Sequence, residues 1–307
     1  MKRVLITGGA GFIGRWVAQE GLSRGWQIVV YDNFSVGTQD NLKQLDNIIV
    51  YEDDIRNSEK LAHILSVHRI DIVYHLAAIH YIPHCERNPL EAMSINVQGT
   101  LSIAEAMHQA KISRLVFAST GALYPPVNMP LSEETPVKAQ DIYGLTKLQG
   151  EQIVDYYHQR YGLQVTIARL FNTYGPFETN PHLLPHIIQT LKQGERVLHL
   201  GNLHPKRDYI YVEDVAEALC RLGTLEEPFG IYNIGYGEEY SVLEVVKLLS
   251  NILGKIEIVQ DPDRMRAVDK PHQCADISRL SKRLKWRPQI SLQEGLMRWL
   301  RLEGIIA

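Results

Sequence analysis

The stretch Val4-Leu5-Ile6-Thr7-Gly8-Gly9-Ala10-Gly11-Phe12-Ile13-Gly14 decides the fold. Three apolar, β-favouring residues lead into a loop whose glycines at 8, 11 and 14 stand three apart, and apolar residues at helical spacing continue from Phe12 to Ser23. In that context a glycine triplet binds a dinucleotide. Glycine permits the tight turn and the close approach of backbone to a pyrophosphate, while the helix N-terminus offers unpaired N–H groups and partial positive charge.

Outward from this loop, short apolar runs alternate with longer helical patterns. The runs are Val4–Thr7, Gln27–Tyr31, Ile48–Tyr51, Asp71–His75, Arg114–Ala118 and Gln164–Arg169, and the helical patterns cover Phe12–Ser23, Ser58–Val67, Pro89–Gln109 and Ile142–Tyr161. Six parallel strands with helices on both faces are expected, an α/β, Rossmann-type doubly wound sheet. After Arg169 the rhythm loosens into a stretch rich in Pro, Gly and Asn, from Asn172 to Pro185, followed by shorter elements that suggest a smaller α/β lobe. The expected division is 1–171 with a returning segment about 208–235, against 172–207 with 236–307, and a substrate cleft between them.

Composition narrows the function. The chain has 307 residues, 45% hydrophobic and 22% charged, with a net charge of −3, so neither nucleic acid nor an anionic membrane is an expected partner. Met1-Lys2-Arg3 opens like a targeting signal, but the apolar run ends at Thr7, and no stretch approaches the length of a membrane span. The tail Leu292–Leu302, apolar at helical spacing with Arg298 and Arg301, reads as a domain-packing helix. Cys85, Cys220 and Cys274 have no metal-ligand spacing and fit reduced thiols in a cytoplasmic protein. His80/His84 and His182/His186 are each four apart, but Pro83 and Pro185 interrupt both segments and no nearby carboxylate completes a set. No metal is expected.

The residues just after each strand face the expected ligand. Asp32, directly after the second run and about 20 residues beyond the loop, can accept hydrogen bonds from both ribose hydroxyls and repel a 2′-phosphate, which selects NAD over NADP. Asn33 follows it, and Asp54-Ile55 after the third run is placed to hold adenine. Tyr143 and Lys147 are four apart in a helical pattern and share a face; an ammonium near a phenol favours the phenolate, making Tyr143 a candidate general base. Ser119 and Thr120 directly follow the fifth run, at the carboxyl edge of the sheet, where a substrate alcohol would share its proton with Thr120 and Tyr143.

Together these segments resemble the extended short-chain dehydrogenase/reductases, specifically the NAD-dependent epimerase/dehydratase group acting on nucleotide sugars. The matching motifs run in order through the glycine loop, Asp32, Asp54-Ile55, His75-Leu76-Ala77-Ala78, Asn96 with Gly99-Thr100, Ser119-Thr120, Tyr143 to Lys147, Asn172 to Pro176, and Arg207 to Asp214. The resemblance implies that NAD contacts Gly8, Gly11, Phe12, Ile13 and Gly14, then Asp32, Asn33, Asp54, Ile55 and Leu76. It implies that Ala77 and Ala78 let the cofactor pass close, that Asn96 supports the loop after the fourth strand, and that Ser119, Tyr143, Lys147 and Leu170 complete the cofactor site, with Lys147 on the nicotinamide ribose. It implies further that Asn172 and Arg207 hold the diphosphate of a nucleotide sugar, with His80, Thr120, Gly121, Leu184 and Arg266 also on the substrate side. His75 is expected to pack rather than act as an acid. Ile82, His84 and Cys85 are expected to line the cleft beside His80, and Glu178 to Pro185 to close over the nucleotide.

Members that eliminate water at C5 and C6 carry an acidic pair directly after the threonine, and the decarboxylases a Glu two places after it. Here Gly121 and Ala122 stand there, so a 4-epimerase with a roomy pocket is the expected reaction. The alternatives are a 4,6-dehydratase or keto-sugar reductase, towards which Asp261 to Arg266 points by its likeness to GDP-sugar enzymes, and a non-catalytic NAD sensor or RNA-associated scaffold. By the same resemblance, helices Pro89–Gln109 and Ile142–Tyr161 form a homodimer contact.

Overall fold

Val4, Leu5 and Ile6 are wholly buried, with Val4 and Ile6 packed on one side of a sheet and Leu5 on the other. Burial on both faces is what an all-parallel central strand requires, and it explains the continuous apolar run. The computed structural model describes residues 1–178, 180–265 and 270–307.

The strands are β1 Arg3–Thr7, β2 Gln27–Asp32, β3 Ile48–Glu52, β4 Ile72–His75, β5 Arg114–Thr120, β6 Gln164–Leu170, β7 Asn172–Tyr174, β8 Val197–Leu200, β9 Lys206–Tyr211, β10 Phe229–Ile234, β11 Glu239–Ser241 and β12 Glu257–Gln260. Seven of them make the main parallel sheet in the order β10-β6-β5-β4-β1-β2-β3. The six expected strands are present, and β10 joins them as a seventh on the edge beside β6. Strand order reverses between β1 and β4, so a crevice opens beyond their carboxyl ends. Helices Phe12–Ser23 and Val212–Gly223 cover one face, and Ser58–Val67, Gly99–Ala110 and Ile142–Tyr161 the other.

The pattern from Pro89 to Gln109 is not one regular helix. An α-turn at Pro89–Ala92 passes into a π-helical segment, Met93–Gln98, before α-helix resumes at Gly99–Ala110. Tertiary hydrogen bonds account for this: the Asn96 side chain accepts from the Ile79 N–H at 2.8 Å and donates to the Ile79 carbonyl and to Thr146 Oγ1, each at 2.9 Å. The Thr100 hydroxyl donates to the Asn96 carbonyl at 2.6 Å. A wide turn is the usual accommodation when a side chain must be re-aimed within a helix.

A three-stranded sheet, β11-β9-β7, and a two-stranded one, β12-β8, build the smaller core with Ile187, Leu191, Val245 and Leu249. Helix Leu292–Leu302 buries Leu292, Leu296, Trp299 and Leu300 in that core, and Arg298 on its outer face pairs with Glu294 and Glu213. The tail therefore packs a domain. Among the described residues no helix is long and apolar enough to cross a membrane.

Candidate active site

One cleft of about 1170 Å³ runs along the carboxyl edge of the main sheet and out over β7 and β9. At one end lies the glycine loop. Gly8 has φ +71°, and a Cβ there would stand 2.7 Å from the Ala77 nitrogen; a Cβ on Gly14 would stand 2.1 Å from the Gly8 carbonyl oxygen. Strand, loop and helix close up only because these positions lack side chains. Gly11, the N-cap of helix Phe12–Ser23, offers no capping side chain, which leaves first-turn N–H groups for an anion. These features fit a dinucleotide pyrophosphate.

Asp32, at the end of β2, accepts the Ala10 N–H through Oδ2 and the Phe34 N–H through Oδ1, both at 2.9 Å. It both caps the turn and lines the cleft, and each carboxylate oxygen keeps a further lone-pair direction. Burial raises its pKa against the pull of those backbone bonds. Asp54 is forked by Arg56, Nε to Oδ1 at 2.7 Å and Nη2 to Oδ2 at 2.6 Å, which holds its pKa down. Asn33, Asp54, Ile55, Leu76, Ala77, Ala78 and Leu170 all line the same cleft, as do Gly8, Gly11, Phe12, Ile13 and Gly14. Asn96 does not: it stands behind the wall, clamping the loop after β4 to the helix that carries Tyr143.

Helix Ile142–Tyr161 starts at Asp141, whose carboxylate accepts the Gly144 N–H at 2.7 Å, and it presents Tyr143 and Lys147 to the end of β5. Lys147 is buried, and its ammonium donates to the Ala118 carbonyl at 2.8 Å. Burial of the Tyr143 phenol raises its pKa, with a hydrogen bond to Thr120 pulling the other way. The lowering expected from Lys147 is therefore not what the protein groups alone produce; desolvation dominates, opposed by the Thr120 bond. Burial also pushes Lys147 from 10.5 down to about 8.

That shift has a sign that can be tested. Between pH 8 and 10.5 the unfolded chain holds a proton that native Lys147 lacks, so its contribution to stability improves as pH rises through this window and is worst below it. Lys147→Met is expected to stabilise the protein at pH 7, by on the order of 2 kcal/mol, with the gain shrinking towards pH 10. Urea unfolding at several pH values measures this, and a gain that grows with pH would contradict it.

Behind Ser119 lies a buried network that the sequence did not disclose. The Ser119 hydroxyl donates to Glu151 Oε1 at 2.5 Å, Arg169 forks the same carboxylate at 2.9 and 2.8 Å, and Arg169 also donates to the Tyr124 hydroxyl, which donates to Asn233 Oδ1. A glutamate on an amphipathic helix and an arginine in a strand each read as surface charges. Only the facing of helix Ile142–Tyr161 on β6 reveals the pair.

At the other end of the cleft are His80, Thr120, Asn172, Leu184 and Arg207. Arg207 donates to the Lys206 and Lys270 carbonyls at 2.7 Å. Arg266 lies outside the described residues. Three expectations need correction. Gly121 does not line the cleft; a Cβ there would stand 3.1 Å from the Phe171 ring, so its smallness admits Phe171 rather than a substrate. His84 is half-buried and pairs with Glu91 at 2.9 Å, and Cys85 is buried beneath the loop, so of the three residues expected beside His80 only Ile82 lines the wall. A carboxylate does join the histidines, across the loops instead of along a helix: ligand atoms of His80, Glu178 and His182 lie within 4.8 Å of one another. His75 is buried between the Thr7 and Thr100 hydroxyls, and burial pushes its pKa down to about 3, so it is a neutral packing residue.

Residues 4–235 match the NAD dependent epimerase/dehydratase family. Over 301 residues the chain is 31% identical to a putative UDP-glucose 4-epimerase of Methanocaldococcus jannaschii, covering 96% of each. Its structure is similar to that of the UDP-glucose 4-epimerase of Thermotoga maritima with UDP-glucose, with a TM-score of 0.91 and 31% identity over 97% of both chains. It is also similar to a dTDP-glucose 4,6-dehydratase of Streptomyces venezuelae with NAD bound, with a TM-score of 0.88 and 27% identity over 97% of this chain and 96% of that one. Agreement across most of the chain, in sequence and in backbone alike, makes this protein a member of the NAD dependent epimerase/dehydratase family, enzymes of the extended short-chain dehydrogenase/reductase fold.

Proposed function

We propose that the protein is a nucleotide-sugar 4-epimerase that keeps its NAD through the turnover and takes a UDP-linked hexose or its uronic or amino derivative. The observation that carries this reading is the grouping of Thr120, Tyr143 and Lys147 at the end of β5, with Gly121 and Ala122 where eliminating relatives need acids. Glu86, Asp141 and Glu178 line the cleft, but each accepts a backbone N–H, from Ile142, Gly144 and Asn180 respectively.

Under this reading the first 171 residues, with the returning segment 208–235, hold the cofactor, and the remainder holds the nucleotide sugar. Asp32 accepts the ribose hydroxyls on its remaining lone pairs, and Asn172 and Arg207 hold the diphosphate. The Tyr143 oxygen, in reach of Thr120, takes the proton of the sugar 4-hydroxyl and returns it once the 4-keto sugar has turned over. Lys147 orients the nicotinamide ribose and supplies positive charge beside the phenol. Held there, NAD would supply a reversible hydride acceptor at the sugar C4.

The test is proton NMR of the purified protein with UDP-glucose and a panel of UDP-, GDP- and dTDP-sugars. The expected outcome is an equilibrium mixture of 4-epimers from a UDP-sugar with no net NADH. A 4-keto-6-deoxy product alone, or no conversion of any sugar, would overturn the reading. The same preparation is expected to sediment as a homodimer through the helices that expose Leu101, Leu145 and Tyr156.

A further inference from the structure

Two loops meet at the wall of the cleft. His80 comes from the segment after β4, and Glu178 and His182 from the segment after β7, about a hundred residues further along the chain. His80 Nε2 stands 3.9 Å from Glu178 Oε1, and the two imidazole rings lie 5.6 Å apart at 35°. Tyr81 packs edge-on against His182, with ring centroids also 5.6 Å apart. The Glu178 side chain is only 5% exposed and the His80 side chain 36%.

A separation of 3.9 Å is too long for a hydrogen bond between imidazole and carboxylate, yet it is close to what two ligands of one ion require. With metal–ligand bonds of about 2.0–2.1 Å, the donor atoms of a tetrahedral site stand about 3.3 Å apart. The three donors, all within 4.8 Å of one another, need to draw together by at most about 1.5 Å to reach it, and the His80–Glu178 pair at 3.9 Å by far less. Asn180 sits over the group: its side-chain amide is 3.1 Å from His80 Nε2, and its backbone N–H donates to Glu178 Oε1 at 3.0 Å. The backbone bond orients the carboxylate as ligand-supporting bonds do, and a half-turn of the amide would present a carbonyl oxygen in place of the nitrogen.

We propose that His80, Glu178 and His182 form a binding site for a late first-row divalent metal of the zinc class, with its remaining coordination position open to the cleft. Two imidazoles and one carboxylate are the donor set that zinc and its neighbours prefer, and three protein ligands with one position left over is the arrangement of sites that engage a further molecule. Calcium and magnesium, which take oxygen ligands, do not fit the set. The site is independent of the reaction proposed above, since it is read by metal binding and not by turnover.

The test is titration of chelator-stripped, full-length protein with Co²⁺, following visible d–d absorption, and then displacement by Zn²⁺. The expected result is one equivalent per chain with the intense bands of low-coordinate Co²⁺, bleached by Zn²⁺. Glu178→Gln and His182→Ala are each expected to weaken binding by about tenfold or more, with melting temperatures recorded to show that both variants are folded. His84→Ala removes a half-buried histidine that also pairs with a carboxylate, and is expected to leave the Co²⁺ titration unchanged. Absence of the Co²⁺ bands, binding retained in the isosteric Glu178→Gln variant, or equal loss in His84→Ala would each overturn the proposal.

Discussion

Tyr143→Phe is expected to lower kcat by about 10²–10⁴-fold while leaving the affinity for nucleotide sugar within a few-fold of the parent, the signature of a lost proton transfer. The reasoning is local. The substitution removes one oxygen and keeps the ring, so the helix that begins at Asp141 and the Lys147 bond to Ala118 stay in place. What is lost is the only phenol in hydrogen-bond relation to Thr120 among the groups described. Steady-state kinetics with saturating substrate, together with a binding measurement on the variant, separates the two effects. Turnover within a few-fold of the parent would remove Tyr143 from the chemistry.

The second large effect concerns stability. Arg169→Met is expected to cost about 3–5 kcal/mol, because it leaves the Glu151 carboxylate buried, 8% exposed, with Ser119 as its remaining side-chain partner. In a chain of this size that corresponds to a fall in melting temperature on the order of 10 °C. The double variant Arg169→Met with Glu151→Gln is expected to recover much of the loss, since the uncompensated charge and not the missing attraction dominates the penalty. Denaturant unfolding of the two singles and the double forms the cycle. Strict additivity of the two single effects would show that the pair is not coupled.

Much of the fold was legible because it follows from local rules. The helices Phe12–Ser23, Ser58–Val67 and Ile142–Tyr161 have the bounds that the apolar spacing predicts, and the six strands differ by a residue or two at their ends. The glycine loop was legible because each glycine answers a local steric demand. What escaped depends on partners distant in sequence. The π-helical turn at Met93–Gln98 exists for bonds to Ile79 and Thr146, neither visible in the periodicity of the segment. Strand β10 is continuous and fully paired with β6, but Gly230 and Asn233 break the apolar run that would have marked it in the sequence, and its place is set by a crossover rather than by its own composition. Gly121 was assigned to the substrate because its contact with Phe171 could not be foreseen. The histidines were paired by spacing along the chain, whereas the structure groups them across two loops with Glu178.

The way the two cores are joined has a mechanical consequence. A single residue, Phe171, separates β6 of the main sheet from β7 of the smaller one; β9 runs directly into helix Val212–Gly223, which packs on the main sheet; and a short turn leads from β10 to β11. Two bodies on one flexible connector can swing apart, but bodies joined at several places, here also where helix Ser278–Leu284 on the main core leads to helix Leu292–Leu302 in the smaller one, resist rotation about any axis that does not pass through all of them. Passage of a large molecule into the cleft is therefore expected to fall to displacement of the rim, the segments after β4 and β7, with the floor that carries Thr120, Tyr143 and Lys147 held in place.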